Sequence, residues 1–156
     1  MTEWKNYEDV SRYLLDRFKE HFKLKVVEGK QSLPGVVSGT DWEIDAKGVS
    51  YDDGANIIIE ARRYTTSKQN QEKIAGLAYR IMDIGAKGGI IVSPLGLQEG
   101  AKKVADASNI VSVKIRHDST PENFTMEFFG NFILGVGTGK IGIKGFPVTI
   151  TVNKNA

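Results

Sequence analysis

The sequence predicts one α/β domain with a central mixed sheet flanked by helices. Three short apolar runs have the length and composition of buried strands: Ala55–Ala61, Ile90–Ser93 and Ile110–Ile115. Two stretches of helical periodicity separate them. A strand, helix, strand, helix, strand order implies parallel neighbours joined by right-handed crossovers. At 156 residues and 40% hydrophobic, the chain is long enough for one core and short for two.

The N-terminal third contains a predicted helix followed by short strands. Apolar residues recur at three- and four-residue steps over Tyr7–Phe22, which predicts an amphipathic helix of about five turns. A short apolar run, Leu24–Val27, follows. The residues Gly29–Gly39 are typical of turns and predict a loop with a little strand at Val36–Val37. The alternation over Trp42–Val49 predicts one strand.

The middle of the chain supplies the predicted parallel units. Asp52–Gly54 is a hairpin turn signal, and the apolar run Ile57–Ile59 indicates a strand buried on both faces. A helical pattern after it ends at Gly85, a residue typical of helix C-termini. A second surface helix is predicted over Leu97–Ala107.

After Asp118 the chain is β-rich and glycine-rich. Runs such as Thr125–Phe129 and Pro147–Val152 predict a small antiparallel appendage or extra strands on the sheet edge. We therefore divide the chain into a core, residues 1–116, and an extension, residues 117–156, packed on it as one domain. Gly137–Gly142 matches a dinucleotide-binding fingerprint, but no helix start follows it, so a nucleotide-binding domain is the least favoured hypothesis.

Composition excludes several classes of site. With no cysteine, disulfides and thiolate metal sites are excluded, and His21 and His117 lie too far apart to suggest zinc. No apolar run reaches the roughly 20 residues that span a bilayer, and the N-terminus has no secretory pattern. We expect a cytoplasmic protein that does not contact membranes. A net charge of +2 does not by itself indicate nucleic acid.

Acidic residues end two neighbouring predicted strands. Asp45 follows one apolar run, and Glu60-Ala61-Arg62 ends the next. Mg²⁺ prefers carboxylate and carbonyl oxygen, so Asp45, Glu60 and the Ala61 carbonyl could hold it against a phosphodiester for hydrolysis. Arg62 can stabilise negative charge on phosphorus, but an arginine side chain stays protonated in proteins and cannot act as a base.

These residues resemble the PD-(D/E)xK nuclease superfamily, and within it the Mrr-type restriction endonucleases and archaeal Holliday-junction resolvases. The resemblance lies in Gly39–Asp45, Ile58–Tyr64, Gly85–Ser93 and the helix containing Gly100–Ala105, over about residues 5 to 116. It implies a restriction endonuclease-like core of order αβββαβαβ. One residue departs from the pattern, because Arg62 stands where the family has lysine.

The resemblance also implies a set of roles. Asp45 and Glu60 would bind Mg²⁺ or Mn²⁺, and DNA would be the substrate. An acid of the first helix sometimes assists, which would be Glu8, and a glutamine after the triplet often lines the site, which would be Gln69 or Gln71. The predicted catalytic set is Asp45, Glu60, Arg62, Gln71 and Glu8, with Arg63 and Lys68 binding flanking phosphates.

Each residue also has a structural interpretation. Asp45 could cap a strand end, and Glu60 could form a surface ion pair with Arg62 or Lys47. The lysine-to-arginine departure leaves a second hypothesis, a degenerate nuclease fold that binds nucleic acid or a protein partner without cleaving. Cutting both strands of a duplex would favour a homodimer. Five later lysines are expected on solvated faces: Lys102, Lys103, Lys114, Lys140 and Lys144.

Overall fold

The computed structural model describes residues 11–12, 15–16, 19–62, 66–117, 123–129, 132–133, 140–141 and 148–153. The strands within these residues are β1 (Leu24–Glu28), β2 (Gln31–Pro34), β3 (Asp41–Ile44), β4 (Ala46–Ser50), β5 (Asn56–Ala61), β6 (Gly88–Ser93), β7 (Ile110–His117), β8 (Asn123–Phe129), β9 (Phe132–Ile133), β10 (Lys140–Ile141) and β11 (Val148–Asn153). Seven of them form one mixed sheet in the order β1-β4-β5-β6-β7-β8-β11, and β2–β3 and β9–β10 form separate pairs.

The centre of the sheet is parallel, as the strand and helix order predicts. β5 pairs with β6 and β6 with β7 in parallel register, and the strands outside them pair antiparallel. All of β6 is buried, as is β5 from Ile57 onward. The restriction endonuclease-like α/β core predicted from the sequence is therefore confirmed.

Two helices, α1 (Gln71–Ile84) and α2 (Glu99–Ala107), connect the parallel strands. The Asn70 side chain caps α1 by accepting a hydrogen bond from the Lys73 amide at 2.9 Å. Gly85 ends α1 in the left-handed conformation at φ 79°, as its position in the sequence predicts. The apolar faces of both helices pack on the same side of the sheet, in a core that includes Ile58, Ile91, Ile74, Leu77, Ile81, Ala101 and Ala105.

The region before β5 differs from the sequence prediction in two ways. The strand expected over Trp42–Val49 is broken by a bend at Asp45, so β3 pairs with β2 while β4 joins the large sheet. The strand expected at Val36–Val37 lies instead at Gln31–Pro34, and both valines are exposed in the turn between β2 and β3. Apolar side chains suggested a strand here, but the hydrogen bonds of this turn are made to a buried acid.

That acid is Asp83, near the end of α1. Its carboxylate accepts hydrogen bonds from the amides of Val37 and Ser38, the Ser38 hydroxyl and the Trp42 indole nitrogen. The hydroxyl and indole donors hold the pKa of Asp83 at about 2. Asp83 thus fastens the turn between β2 and β3 to α1.

The ends of the chain are described in part. Ser11, Arg12, Leu15 and Asp16 are helical and a 3₁₀ turn follows at Lys19–Phe22, while the rest of the predicted first helix lies outside the described residues. β8 and β11 extend the sheet antiparallel, which agrees with extra strands on its edge. The division at residues 116 and 117 stays a prediction. In the described part of the chain, no helix is long and apolar enough to cross a membrane.

Candidate active site

The candidate site lies where β5 ends, beside the bend between β3 and β4. The antiparallel register pairs Ala46 with Ile59, so Asp45, one residue earlier, lies opposite Glu60. One oxygen of Asp45 accepts a hydrogen bond from the Ala61 amide at 2.8 Å. The bend therefore places the Asp45 carboxylate against the end of β5.

Glu60 is the most buried acid of the site, with 3% of its surface exposed. Its two oxygens contact different cations. Arg80 of α1 forms an ion pair with Oε1, and Arg62 approaches Oε2 at 3.7 Å. The Glu60–Arg62 ion pair considered from the sequence is present. A second and more buried arginine, Arg80, shares the same carboxylate.

The pKa of Glu60 is raised from 4.5 to about 7. Burial is the largest cause, because a desolvated carboxylate is costly to ionise. The nearby carboxylate of Asp45 raises this pKa further, while Arg80 and Arg62 oppose the shift. The two carboxylates repel each other, and a cation bound between them would relieve this repulsion.

Arg80 contacts Glu60 but was not among the residues predicted from the sequence. Its guanidinium lies 5.1 Å from the centre of the Trp42 ring, and Trp42 in turn donates a hydrogen bond to Asp83. In sequence, Arg80 stands between the core residues Leu77 and Ile81 of α1. A cation at the border of an apolar helix face was the available signal, but the partner on β5 could not be inferred without the fold.

Of the remaining predicted residues, the structure describes Gln69, Gln71 and Lys68. Gln69 is buried and its side-chain oxygen has no hydrogen-bond partner among the described residues. Gln71 is exposed at the start of α1, with its side-chain oxygen close to Gly100. Lys68 is exposed in the segment before α1. Glu8 and Arg63 lie outside the described residues. The roles assigned to Gln71, Glu8, Arg63 and Lys68 stay predictions.

The model of the restriction endonuclease family Mrr_cat matches residues 4–117, which is most of the chain. The chain belongs to this family. The family is one of restriction endonucleases, and the resemblance seen in the sequence is confirmed. No curated protein matches the sequence.

Solved structures provide a comparison of folds. A crystal structure of a protein of unknown function, AF1548, aligns with a TM-score of 0.52 at 19% identity, over 64% of this chain and 54% of that one. A repair endonuclease from Pyrococcus abyssi (TM-score 0.42, 19% identity, 70% and 47% coverage) and EndoMS in its apo form (0.42, 18%, 76% and 50%) are more distant. The chain thus spans about half the length of these structures.

Within the restriction endonuclease family, the acidic pair suits a hard divalent cation. Asp45 and Glu60 offer carboxylate oxygens from adjacent strand ends, and Mg²⁺ is commonly bound by one or two carboxylates plus water. In the described residues, no group of three or more His, Cys, Asp or Glu side chains is placed to hold a metal. A cation held here would therefore have only this pair and backbone oxygen as ligands among the described residues.

Proposed function

We propose that this chain is a metal-dependent DNA endonuclease in which Asp45 and Glu60 hold Mg²⁺ or Mn²⁺. The observation that carries the proposal is the pairing of the half-buried Asp45 with the buried Glu60 at the end of β5, where burial and then Asp45 raise the pKa of Glu60 to about 7. A family of restriction endonucleases gives the pair its context. The bound cation would supply Lewis-acid activation of the phosphodiester and of water.

The chain's own residues have separate roles in this proposal. Arg62 is 39% exposed and faces both Glu60 and solvent, so its guanidinium can donate hydrogen bonds to the scissile phosphate. It stabilises charge and does not remove a proton. Arg80 is a positioning residue, because its ion pair fixes the orientation of the Glu60 carboxylate from behind.

Further residues complete the proposal from the family resemblance. Gln71 and Glu8 would line the site, while Arg63 and Lys68 would contact phosphates on either side of the cleaved bond. A homodimer would place two such sites on the two strands of a duplex. Cytoplasmic location follows from the sequence expectation alone.

One observation favours a second candidate, a degenerate module that binds nucleic acid without cleaving it. Glu60 already shares its charge with Arg80 and Arg62, and Arg62 replaces the lysine of the family pattern. A carboxylate saturated by two arginines binds a metal less readily than one beside a single lysine. The Arg62→Lys variant separates the candidates, because a weakened enzyme gains activity and a lost one does not.

The deciding experiment is nicking of supercoiled plasmid with Mg²⁺, with Mn²⁺ and with EDTA. We expect cleavage by the native chain with metal, and a loss of at least about 100-fold in Asp45→Ala and Glu60→Ala. Glu43→Ala is the matched control, because Glu43 is an exposed acid two residues from Asp45. Metal-independent nicking, or nicking that survives both site substitutions, would contradict the proposal.

A further inference from the structure

A small cavity surrounded by lysines lies at the same edge of the sheet as the candidate active site. Its volume is about 60 Å³, and its lining includes Lys68, Lys102 and Lys114 together with Ser112 and Gly96. The three lysines come from three different elements: the segment before α1, α2 and β7. None of the described residues that line the cavity carries a carboxylate.

The sheet register places this cavity on the face that carries Glu60. Glu60 pairs with Ile91 of β6, and Ile91 pairs with Ser112 of β7. Side chains paired directly across a sheet share a face, and residues two apart on a strand share it as well. Glu60, Ser112 and Lys114 therefore point to the same side, near the C-terminal ends of parallel strands.

The separation of the two places follows from strand spacing. β5 and β7 are two strands apart, which is about 10 Å at roughly 4.8 Å per strand. Phosphates wind around the axis of B-form DNA as it rises roughly 3.4 Å per nucleotide, so neighbouring phosphates of one strand are about 7 Å apart and 10 Å corresponds to about one or two nucleotides. A DNA strand with one phosphate at Arg62 could thus place a nearby phosphate at the cavity.

The cavity has the size and donors for one phosphate group. It holds roughly twice the ~30 Å³ share of a water molecule, far below the roughly 300 Å³ of a site for an organic ligand. The stem of Lys114 packs against Gly96, where an added Cβ would lie 3.1 Å from the lysine Cε. Ser112, 8% exposed, adds a hydroxyl beside the lysine charges.

We propose that the cavity formed by Lys68, Lys102 and Lys114 binds a DNA backbone phosphate about one or two nucleotides from the one at Arg62. This inference rests on the proposed function, since it names where the same substrate continues beyond the site. It assigns the strand a path across the ends of β5, β6 and β7. Lys102, expected from the sequence on a solvated face, is indeed exposed, but it also borders this cavity.

The test is fluorescence anisotropy of a fluorescein-labelled DNA duplex, in EDTA, over a series of NaCl concentrations. Lys102→Ala and Lys103→Ala form a matched pair, because both lysines are exposed on α2 and only Lys102 lines the cavity. We expect Lys102→Ala and Lys68→Ala to weaken binding about fivefold and to lower the salt slope by about 1. Lys103→Ala should change the affinity less than twofold.

The outcomes separate this inference from the nuclease proposal. Equal effects of Lys102→Ala and Lys103→Ala would show diffuse attraction to positive charge and overturn the phosphate site, even if the plasmid is cleaved. Selective effects in a chain that never cleaves would support the site and count against the nuclease. No measurable duplex binding at low salt overturns the inference. Circular dichroism and thermal melting verify that each variant is folded.

Discussion

Glu60 is a residue whose burial works against the stability of the fold. Desolvation and the neighbouring Asp45 raise its pKa to about 7, although Arg80 and Arg62 lie beside it. A side chain selected for stability alone would be neutral or apolar at this buried strand end. A site that binds a cation needs such a carboxylate, and its cost in free energy of unfolding can be measured.

We expect Glu60→Gln to stabilise the metal-free protein at pH 8 by roughly 2 kcal/mol. The pKa of Glu60 is about 7 when folded, against an ordinary value of 4.5. Between these values the folded protein keeps a proton that the unfolded chain has lost, so stability falls as pH rises through this window. Urea unfolding in EDTA at pH 4 and pH 8 measures the effect, which should vanish at pH 4.

Glu43→Gln is the control for this measurement, since it makes the same chemical change at an exposed position of β3. It should leave the free energy of unfolding unchanged at both pH values. A destabilised Glu60→Gln at pH 8 would mean that the ion pairs with Arg80 and Arg62 outweigh desolvation. Glu60 would then be a structural residue of the fold.

At the scale of elements, the sequence was sufficient to predict the central strands of the sheet but not the bend between β3 and β4. The apolar runs of β5, β6 and β7 predict buried parallel strands, because only burial on both faces allows such composition. The local sequence around Asp45 does not predict the bend. The bend depends on a tertiary contact, since the Asp45 carboxylate accepts a hydrogen bond from the Ala61 amide of another strand.

Two glycines show how tightly the elements pack, and they predict opposite outcomes. Gly88 begins β6, where an added Cβ would lie 2.6 Å from the backbone oxygen of Asn109. Gly76 lies within α1 with open space around it. We expect Gly88→Ala to destabilise the protein by roughly 1–3 kcal/mol and Gly76→Ala to stabilise it by roughly 0.5–1 kcal/mol.

Thermal and urea unfolding of the two alanine variants at one pH compare them directly. Both substitutions add a single methyl group, so each serves as the control for the other. A stable Gly88→Ala protein would show that β6 can move away from Asn109. A destabilised Gly76→Ala protein would show that the exposed face of α1 is covered in solution.

At the scale of the whole molecule, the site exists only when distant segments meet. Asp45 comes from the bend after β3, Glu60 and Arg62 from the end of β5, and Arg80 from α1. The sequence pattern identified the first three because each ends an apolar run. Arg80 was not identified because its ion pair joins residues 20 positions apart through the packing of α1 on the sheet. Site assembly and folding should therefore be linked.

That linkage predicts that a bound cation stabilises the entire fold. At pH 8, Mn²⁺ at 100 times its Kd would add about 2.7 kcal/mol, which raises the melting temperature by about 5–10 °C. At pH 6 the shift should be smaller, because Glu60, with a pKa of about 7, must first lose its proton to bind metal. Scanning fluorimetry with Mn²⁺ at both pH values measures this shift in melting temperature.

Asp45→Asn and Glu60→Gln should abolish the shift, and Glu43→Gln should keep it. A shift that persists in both site variants would place the cation elsewhere, because the cation stabilises the fold only by binding to it, and these variants remove its proposed ligands.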